Sequence, residues 1–358
     1  MCHSVSHYIL MLLCIYMIIA TLNFSLIYNG FSLEGTKALA DVLKTNPFLL
    51  TLNFQFNDIG DSGCAILAEA LRFNSSLISL NLSNNHIGSK GARALADMLR
   101  FNVTLETLSL QYNALHDLGA RLLAEALAVN STLQELAVGG NDIGPEGTHD
   151  IAEALTLNQT LLFLDFQSNQ PDDSGVRRLA AALQESNISL LGLDLHACGV
   201  SDAGAGALAE MLSHNQILTG LNLDNNKIAD CGMAALSESL RKKVSVLSHL
   251  DLSRNLFGDE GVLAVADVLR FNGSLLQLLG LDLLPLATSV FRFSPCALRR
   301  WGLLLTDEGG LGEGEDVGNE RLLRAVREER GRFARLGHEL GKEMYFELEE
   351  GGTLDTDS

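Results

Sequence analysis

The side chains most capable of chemistry lie in the C-terminal half of the chain, where carboxylates and imidazoles recur at near-regular intervals. The group comprises Asp165, Asp194, His196, Asp224, His249 and Asp251. Such groups can bind a metal ion or act as general acid and base when the fold brings them together. Yet the sequence has no closely spaced metal-ligand motif and no GxxxxGK[ST] phosphate-binding loop. We therefore expect no catalytic residue, metal or cofactor, and we interpret the group as part of a binding surface.

An internal repeat determines which elements position these residues. An asparagine recurs every 28 or 29 residues, with one cysteine in its place: Asn29, Asn57, Asn85, Asn113, Asn141, Asn169, Cys198, Asn226 and Asn255. The pattern LxxLxLxxN precedes this anchor position. Because the last two leucines alternate with period two, each repeat predicts one short strand. We expect the anchor asparagine amides to bond turn backbone groups as a ladder between repeats, with Cys198 occupying the same slot.

The second half of each repeat predicts a helix. The motif Gly-x-x-x-Leu-Ala-x-x-Leu, seen at Gly63, Leu67, Ala68 and Leu71, places one apolar stripe on a helical surface. Units of this kind bury their apolar faces only by stacking. The sequence therefore predicts an α/β solenoid, a horseshoe with a parallel concave sheet and convex helices.

The repeated motif LxxLxLxxNxIGxxGAxxLAxxL, over residues 21–283, resembles leucine-rich repeats of the ribonuclease-inhibitor-like class. It is most similar to the repeat region of NOD-like receptors, although no phosphate-binding loop accompanies it. The resemblance implies a protein-interaction module, either a scaffold or a sensor. Two alternatives stay open: a GTPase activator of the Ran-activating type, and a secreted or membrane-tethered receptor ectodomain. Pro171, Asp172 and Asp173 replace the usual turn, so we expect a local distortion in the sixth repeat.

The predicted binding surface is the concave sheet. Since the leucines point into the core, the residue between the last two of each repeat points out of the sheet. That column reads Asn53, Asn81, Ser109, Ala137, Asp165, Asp194, Asn222 and Asp251. We expect nearby exposed positions and aromatic residues to extend the surface: Asp224, His196, His249, Arg254, Phe56, Tyr112 and Phe163.

The charge balance limits the class of partner. The net charge of −19 argues against nucleic acid, which is bound by clustered Lys and Arg. Because the acidic residues of the sheet column concentrate towards its C-terminal half, we expect a protein partner with a basic surface. No small-molecule substrate is evident from the sequence.

The ends of the chain depart from the repeat. Residues 1–20 are apolar and are interpreted as a cap, a signal segment, an anchor or a gene-model artefact. Residues 284–318 predict an irregular, Gly- and acid-rich linker, residues 319–350 a charged helix, and residues 351–358 a disordered tail.

Scattered cysteines and recurring glycosylation motifs bear on the compartment. The six cysteines form no clustered framework, which favours the cytoplasm, whereas the apolar run from Tyr8 to Leu22 would favour secretion or membrane anchoring. The NxS/T motifs start at Asn74, Asn102, Asn130, Asn158, Asn187 and Asn272. They recur with the repeat at the helix-to-strand turn. We attribute them to the left-handed conformation that asparagine tolerates where a helix ends.

Overall fold

Each repeat folds as a three-residue strand, a turn and a helix. The computed structural model describes residues 23–242, 246–271 and 277–279. The chain divides into two compact units, Met1–Arg292 and Phe293–Ser358, and all described residues belong to the first. The predicted segments 1–20, 284–318, 319–350 and 351–358 therefore lie outside the described residues.

The described strands form one parallel sheet whose order follows the chain. They are β1 (Asn23–Ser25), β2 (Thr51–Asn53), β3 (Ser79–Asn81), β4 (Thr107–Ser109), β5 (Glu135–Ala137), β6 (Phe163–Asp165), β7 (Gly192–Asp194), β8 (Gly220–Asn222), β9 (His249–Asp251) and β10 (Gln277–Leu279). Corresponding residues face each other in every pair, so that Leu52 aligns with Leu80 and Leu80 with Leu108. The expected α/β solenoid, with its strands stacked in one parallel sheet, is confirmed.

A helix follows each strand from β1 to β9. The helices are α1 (Leu33–Leu43), α2 (Gly60–Leu71), α3 (Ser89–Leu99), α4 (His116–Leu127), α5 (Pro145–Leu157), α6 (Asp172–Glu185), α7 (Asp202–Leu212), α8 (Asp230–Arg241) and α9 (Asp259–Phe271). In α2 the predicted stripe of Leu67, Ala68 and Leu71 is buried. The core lies between the helices and the central leucines of the strands. Within the described residues, no helix is both long and apolar enough to cross a membrane.

The anchor asparagines form the predicted ladder between repeats. The Nδ2 group of Asn85 donates to the Phe54 carbonyl of the preceding repeat at 2.9 Å. Its Oδ1 accepts from the Asn57 N–H at 3.1 Å. Cys198 occupies the same position: its Sγ donates to the Phe166 carbonyl at 3.3 Å. Because this thiol is buried, its pKa is raised to about 12.

A second asparagine ladder explains the glycosylation motifs, and it corrects our explanation of them. Asn102 is buried; its Nδ2 donates to the Leu71 carbonyl at 2.7 Å, and its Oδ1 accepts from the Leu105 N–H at 2.8 Å. None of the motif asparagines among the described residues has a positive φ, and Asn158 has φ −78°. The left-handed interpretation was therefore wrong. The asparagine is needed for its side-chain amide, which joins the turn to the helix end of the preceding repeat.

The sixth repeat is less distorted than expected. Its strand stays in register, and Asn169 keeps its ladder bond to the Val138 carbonyl at 3.0 Å. Asp172 has φ +47°, but Gly60 and His116 adopt the same left-handed conformation at the same repeat position, with φ +56° and +52°. The Pro171 turn thus follows a geometry that two other repeats use.

Candidate functional site: the sheet face

We call the surface of the sheet opposite the helices the sheet face. In β6 the central Leu164 is buried, whereas Phe163 and Asp165 on either side are half-buried and open to this face. The same alternation holds from β2 to β8. All members of the predicted outward column are half-buried: Asn53, Asn81, Ser109, Ala137, Asp165, Asp194, Asn222 and Asp251. Period-two alternation therefore predicted their placement correctly.

The third residue of the strand also supports the turn that follows it. Asn81 Oδ1 accepts from the Ser83 N–H at 2.9 Å, and Asp251 Oδ1 accepts from the Ser253 N–H at 2.9 Å. The same bond, to the N–H two residues on, is made by Asn53, Asp165, Asp194 and Asn222. Asparagine and aspartate serve this turn equally well. The negative charge in the C-terminal strands is thus not required by the turn.

Two of these carboxylates lie in a partly desolvated environment. Burial, together with repulsion from Asp194, raises the pKa of Asp165 to about 6. Asp165 Oδ2 accepts from Gln111 Nε2 at 2.6 Å and from Gln167 Nε2 at 3.2 Å. Burial also raises the pKa of Asp194, whose Oδ2 accepts from Asn222 Nδ2 at 3.0 Å. Each of the two carboxylates therefore accepts a hydrogen bond from a side chain of another repeat, Asp165 from Gln111 and Asp194 from Asn222.

Asp224 was predicted to be exposed, and this prediction was wrong. Only 7% of the residue is exposed. Arg254 Nε donates to Asp224 Oδ1 at 2.8 Å, its Nη2 donates to Oδ2, and His196 Nδ1 lies 3.1 Å from Oδ2. The Arg254 side chain reaches across from the next repeat and covers the carboxylate. Asp224 and Arg254 therefore neutralise each other, and the uncompensated charge rests on other residues.

The three predicted aromatic residues lie on different repeats and do not form one cluster. Phe56 stacks on Tyr28, with ring centroids 4.1 Å apart and an interplanar angle of 9°. Tyr112 is 49% exposed, and its ring lies against Gly140. Phe163 lies between Glu135 of β5 and Gly192 of β7 in the sheet register. Sequence reasoning missed Tyr28, although it occupies the position of Phe56 one repeat earlier.

The two predicted histidines differ in their surroundings. His196 is half-buried beside Asp224, whereas His249 is exposed and its Nδ1 lies 2.7 Å from the Ser248 hydroxyl. Among the described residues, no group of three His, Cys, Asp or Glu side chains is arranged to hold a metal ion.

Comparison with known proteins now identifies the repeats. A family model described as a Leucine Rich repeat matches residues 45–68, 73–96, 101–124, 129–151, 214–237 and 245–266. These segments are leucine-rich repeats. The matched segments contain strands β2–β5, β8 and β9. They lie on both sides of strands β6 and β7, which carry Asp165 and Asp194.

Two solved structures that are similar to the chain cover different lengths of it. The tropomodulin C-terminal domain of Caenorhabditis elegans is 18% identical, with a TM-score of 0.36, and covers 43% of this chain and 92% of its own. Leiomodin-1 Actin-Binding Site 2 is 19% identical, with a TM-score of 0.30, and covers 61% of this chain and 95% of its own. A comparison with curated proteins gave no match.

Proposed function

We propose that this protein is an interaction module, a scaffold or sensor, whose sheet face binds a protein partner with a basic surface. The observation that carries the proposal is the different burial of the three residues within each strand. The central leucine forms the core, while its two neighbours open to the sheet face and are not needed for burial. Repeat surfaces of this kind provide extended binding areas whose side chains vary without disturbing the fold.

The negative charge on the sheet face favours a partner with a basic surface. Asp165, Asp194 and Asp251 occupy a column in which neighbouring repeats hold asparagine, serine or alanine. Because asparagine makes the same turn bond, the carboxylates supply charge that the fold does not demand. A row of like charges raises the rate and specificity with which an oppositely charged surface docks.

The proposal includes the compartment: the protein acts as an interaction module in the cytoplasm. Resemblance of the repeat motif to NOD-like receptor repeats supports a sensor or scaffold role. Cys64 and Cys198 are buried and free, as expected of a reducing compartment. We propose binding rather than catalysis, because the acidic side chains of the sheet face are held by hydrogen bonds to the turns that follow their strands.

Site-specific photocrosslinking tests which face binds the partner. A benzophenone amino acid would replace Ser79 or Thr107, which are half-buried on the sheet face. Matched probes would replace Glu69 or Asp97, which are exposed on α2 and α3. After irradiation in cells, we expect protein adducts from the sheet-face probes only. Adducts confined to the helical probes would refute the proposal.

A charge-removal pair tests the electrostatic part. Asp194→Asn with Asp251→Asn should keep the turn bonds and weaken the cross-linked adduct yield, with a flatter dependence on salt. Glu69→Gln with Asp97→Asn changes the net charge equally on the helical surface and should leave the yield unchanged. Equal loss in both pairs would mean that only overall charge matters.

A further inference from the structure

Two adjacent strands lack a side chain in the first column of the sheet face. Gly192 of β7 and Gly220 of β8 face each other in register, with Phe163 on the strand before and His249 on the strand after. The corresponding positions of β2 to β5 carry Thr51, Ser79, Thr107 and Glu135. We call this interruption, bounded by Phe163 and His249, the glycine gap.

The glycine gap is not a requirement of the backbone. Neither glycine has a positive φ, so both positions accept other residues conformationally. A Cβ on Gly192 would lie 2.7 Å from the Phe163 ring, which leans over that glycine. At Gly220, however, the nearest atom to an added Cβ is the Leu191 carbonyl oxygen at 3.9 Å. The space above Gly220 is therefore open, with an aromatic ring on one side.

The carboxylates of the sheet face lie next to the glycine gap. Asp194 is two residues beyond Gly192 on the same strand, and Asp251 is two residues beyond His249. Parallel strands are about 4.8 Å apart and two residues along a strand span about 6.6 Å. Both carboxylates are thus within reach of a long side chain lying over Gly220. Asp251 Oδ1 accepts from the Ser253 N–H, and the nearby Arg254 side chain donates its hydrogen bonds to Asp224 while Asp251 adds to the electrostatic stabilisation of its charge.

We propose that the glycine gap binds an arginine side chain of the partner. Its aliphatic stem would lie over Gly220 beside the Phe163 ring, and its guanidinium would reach Asp194 and Asp251. The Phe163 ring offers an apolar surface for the stem, and a guanidinium pairs with carboxylates through several donors, so both parts of an arginine side chain find a matching wall of the gap. Arginine side chains are also frequent energetic centres of protein interfaces. This inference rests on the proposed function and names the chemistry that anchors the partner.

The probe is the acetylated and amidated pentapeptide Gly-Ser-Arg-Ser-Gly, titrated into the full-length protein and followed by NMR. The backbone amides of Gly192 and Gly220 serve as reporters within the gap. We expect saturable shifts of these two resonances, and at least fivefold weaker binding when citrulline, which has the same shape without charge, replaces arginine. Equal binding of the two peptides, or shifts that avoid these glycines, would overturn the assignment.

A matched pair of substitutions tests the space itself. Gly220→Val fills the gap with a β-branched residue suited to a strand, and Ser79→Val makes the same kind of change in the same column of β3. We expect Gly220→Val to abolish the peptide-induced shift of the Gly192 amide, and Ser79→Val to leave the shifts of both glycine amides intact. Undiminished binding by Gly220→Val would refute the proposal. Asp194→Asn with Asp251→Asn provides a second test that does not alter backbone propensity, and it should weaken binding at least fivefold.

The failure of this inference is distinguishable from failure of the proposed function. If the peptide ignores the glycine gap while partner adducts still form from the sheet-face probes, only the arginine site is wrong. If adducts form only from the helical probes, the proposed binding face itself is wrong, whatever the peptide does.

Discussion

Asp117 bonds the first turn of the helix in the next repeat: its Oδ1 accepts from the Gly144 N–H at 2.7 Å and the Gly147 N–H at 3.0 Å. Helix N-termini have unpaired N–H groups and a positive dipole end, so a carboxylate is well suited there. The same contact is made by other aspartates near helix starts, each to the following repeat: Asp61, Asp173, Asp202 and Asp230. These aspartates couple neighbouring repeats at their helical side, opposite the proposed binding surface.

The first prediction follows from this contact. Asp117→Ala removes the acceptor of two N–H groups and should destabilise the protein by about 1 to 2 kcal/mol. The urea unfolding midpoint provides the measurement. Asp97→Ala, an exposed helical aspartate, serves as control and should cost less than about 0.5 kcal/mol. Equal midpoints for the two variants would show that the inter-repeat contact contributes nothing.

The second prediction concerns the anchor ladder. Asn113 Nδ2 donates to the Leu82 and Leu110 carbonyls, and its Oδ1 accepts from the Ile87 N–H at 2.9 Å. Because Asn113→Ala leaves those groups without partners, it should cost on the order of 1 to 3 kcal/mol. Ser79→Ala, on the sheet face, should change the melting temperature far less. A melting temperature of Asn113→Ala equal to that of the control would contradict the structural role of the ladder.

The ladders show what the sequence can predict and what it cannot. Strand direction, the buried leucines and the anchor bonds all follow from a period that local residues determine, as at Leu80 and Asn85. The environment of Asp224 does not, because its partner Arg254 occupies a position that holds no arginine in the other repeats. The bond from Gln111 to Asp165 spans 54 residues and crosses an intervening strand. Such contacts depend on the side chains of two or three repeats at once, which a repeat pattern does not specify.

Two glycines near the Gln111–Asp165 hydrogen bond are a sequence signal for this contact. Gly139 lies between the strands of Gln111 and Asp165, and a Cβ there would be 2.6 Å from Gln167 Cγ and 3.1 Å from Asp165 Oδ1. A glycine pair at positions 139 and 140 interrupts the polar pattern of the repeat. At Gly139 the space that a Cβ would need is taken by Gln167 and Asp165.

The third prediction concerns cysteine reactivity. Burial raises the pKa of the Cys64 and Cys198 thiols, so few thiolates form near neutral pH, whereas Cys231 is exposed. In the native protein, iodoacetamide should alkylate Cys231 within minutes and the two buried cysteines only after unfolding. Peptide mass spectrometry at successive times measures this order. Rapid alkylation of Cys198 under native conditions would show that its repeat opens readily.

The fourth prediction concerns modification of the second ladder. Because the amides of Asn102 and Asn130 are buried and donate to the Leu71 and Leu99 carbonyls at 2.7 Å, a glycan on either would disrupt the turn. Protein from its native source should therefore carry both asparagines unmodified. A mass decrease on glycosidase treatment, mapped to either residue, would contradict the observed packing and the cytoplasmic proposal.

The final prediction is a pH dependence centred on Asp165. Its folded-state pKa of about 6 lies above the unfolded value of about 3.9, so between these values the folded protein binds the additional proton. Stability should consequently fall as pH rises through this window, and ionised Asp165 should cost on the order of 1 to 3 kcal/mol above it. Asp165→Asn keeps an acceptor for the Gln167 N–H and removes the charge.

We therefore expect Asp165→Asn to be more stable than the wild type at pH 8, with the difference shrinking as the pH is lowered towards 4. Urea unfolding of both proteins across this range gives the comparison, and Asp97→Asn on α3 serves as a control whose difference from wild type should stay constant. Nearby Asp194 also has a raised pKa, so its substitution should show the same sign. An Asp165→Asn variant that loses stability at pH 8 would mean that the charged carboxylate is favoured by its bonds to Gln111 and Gln167 more strongly than burial opposes it.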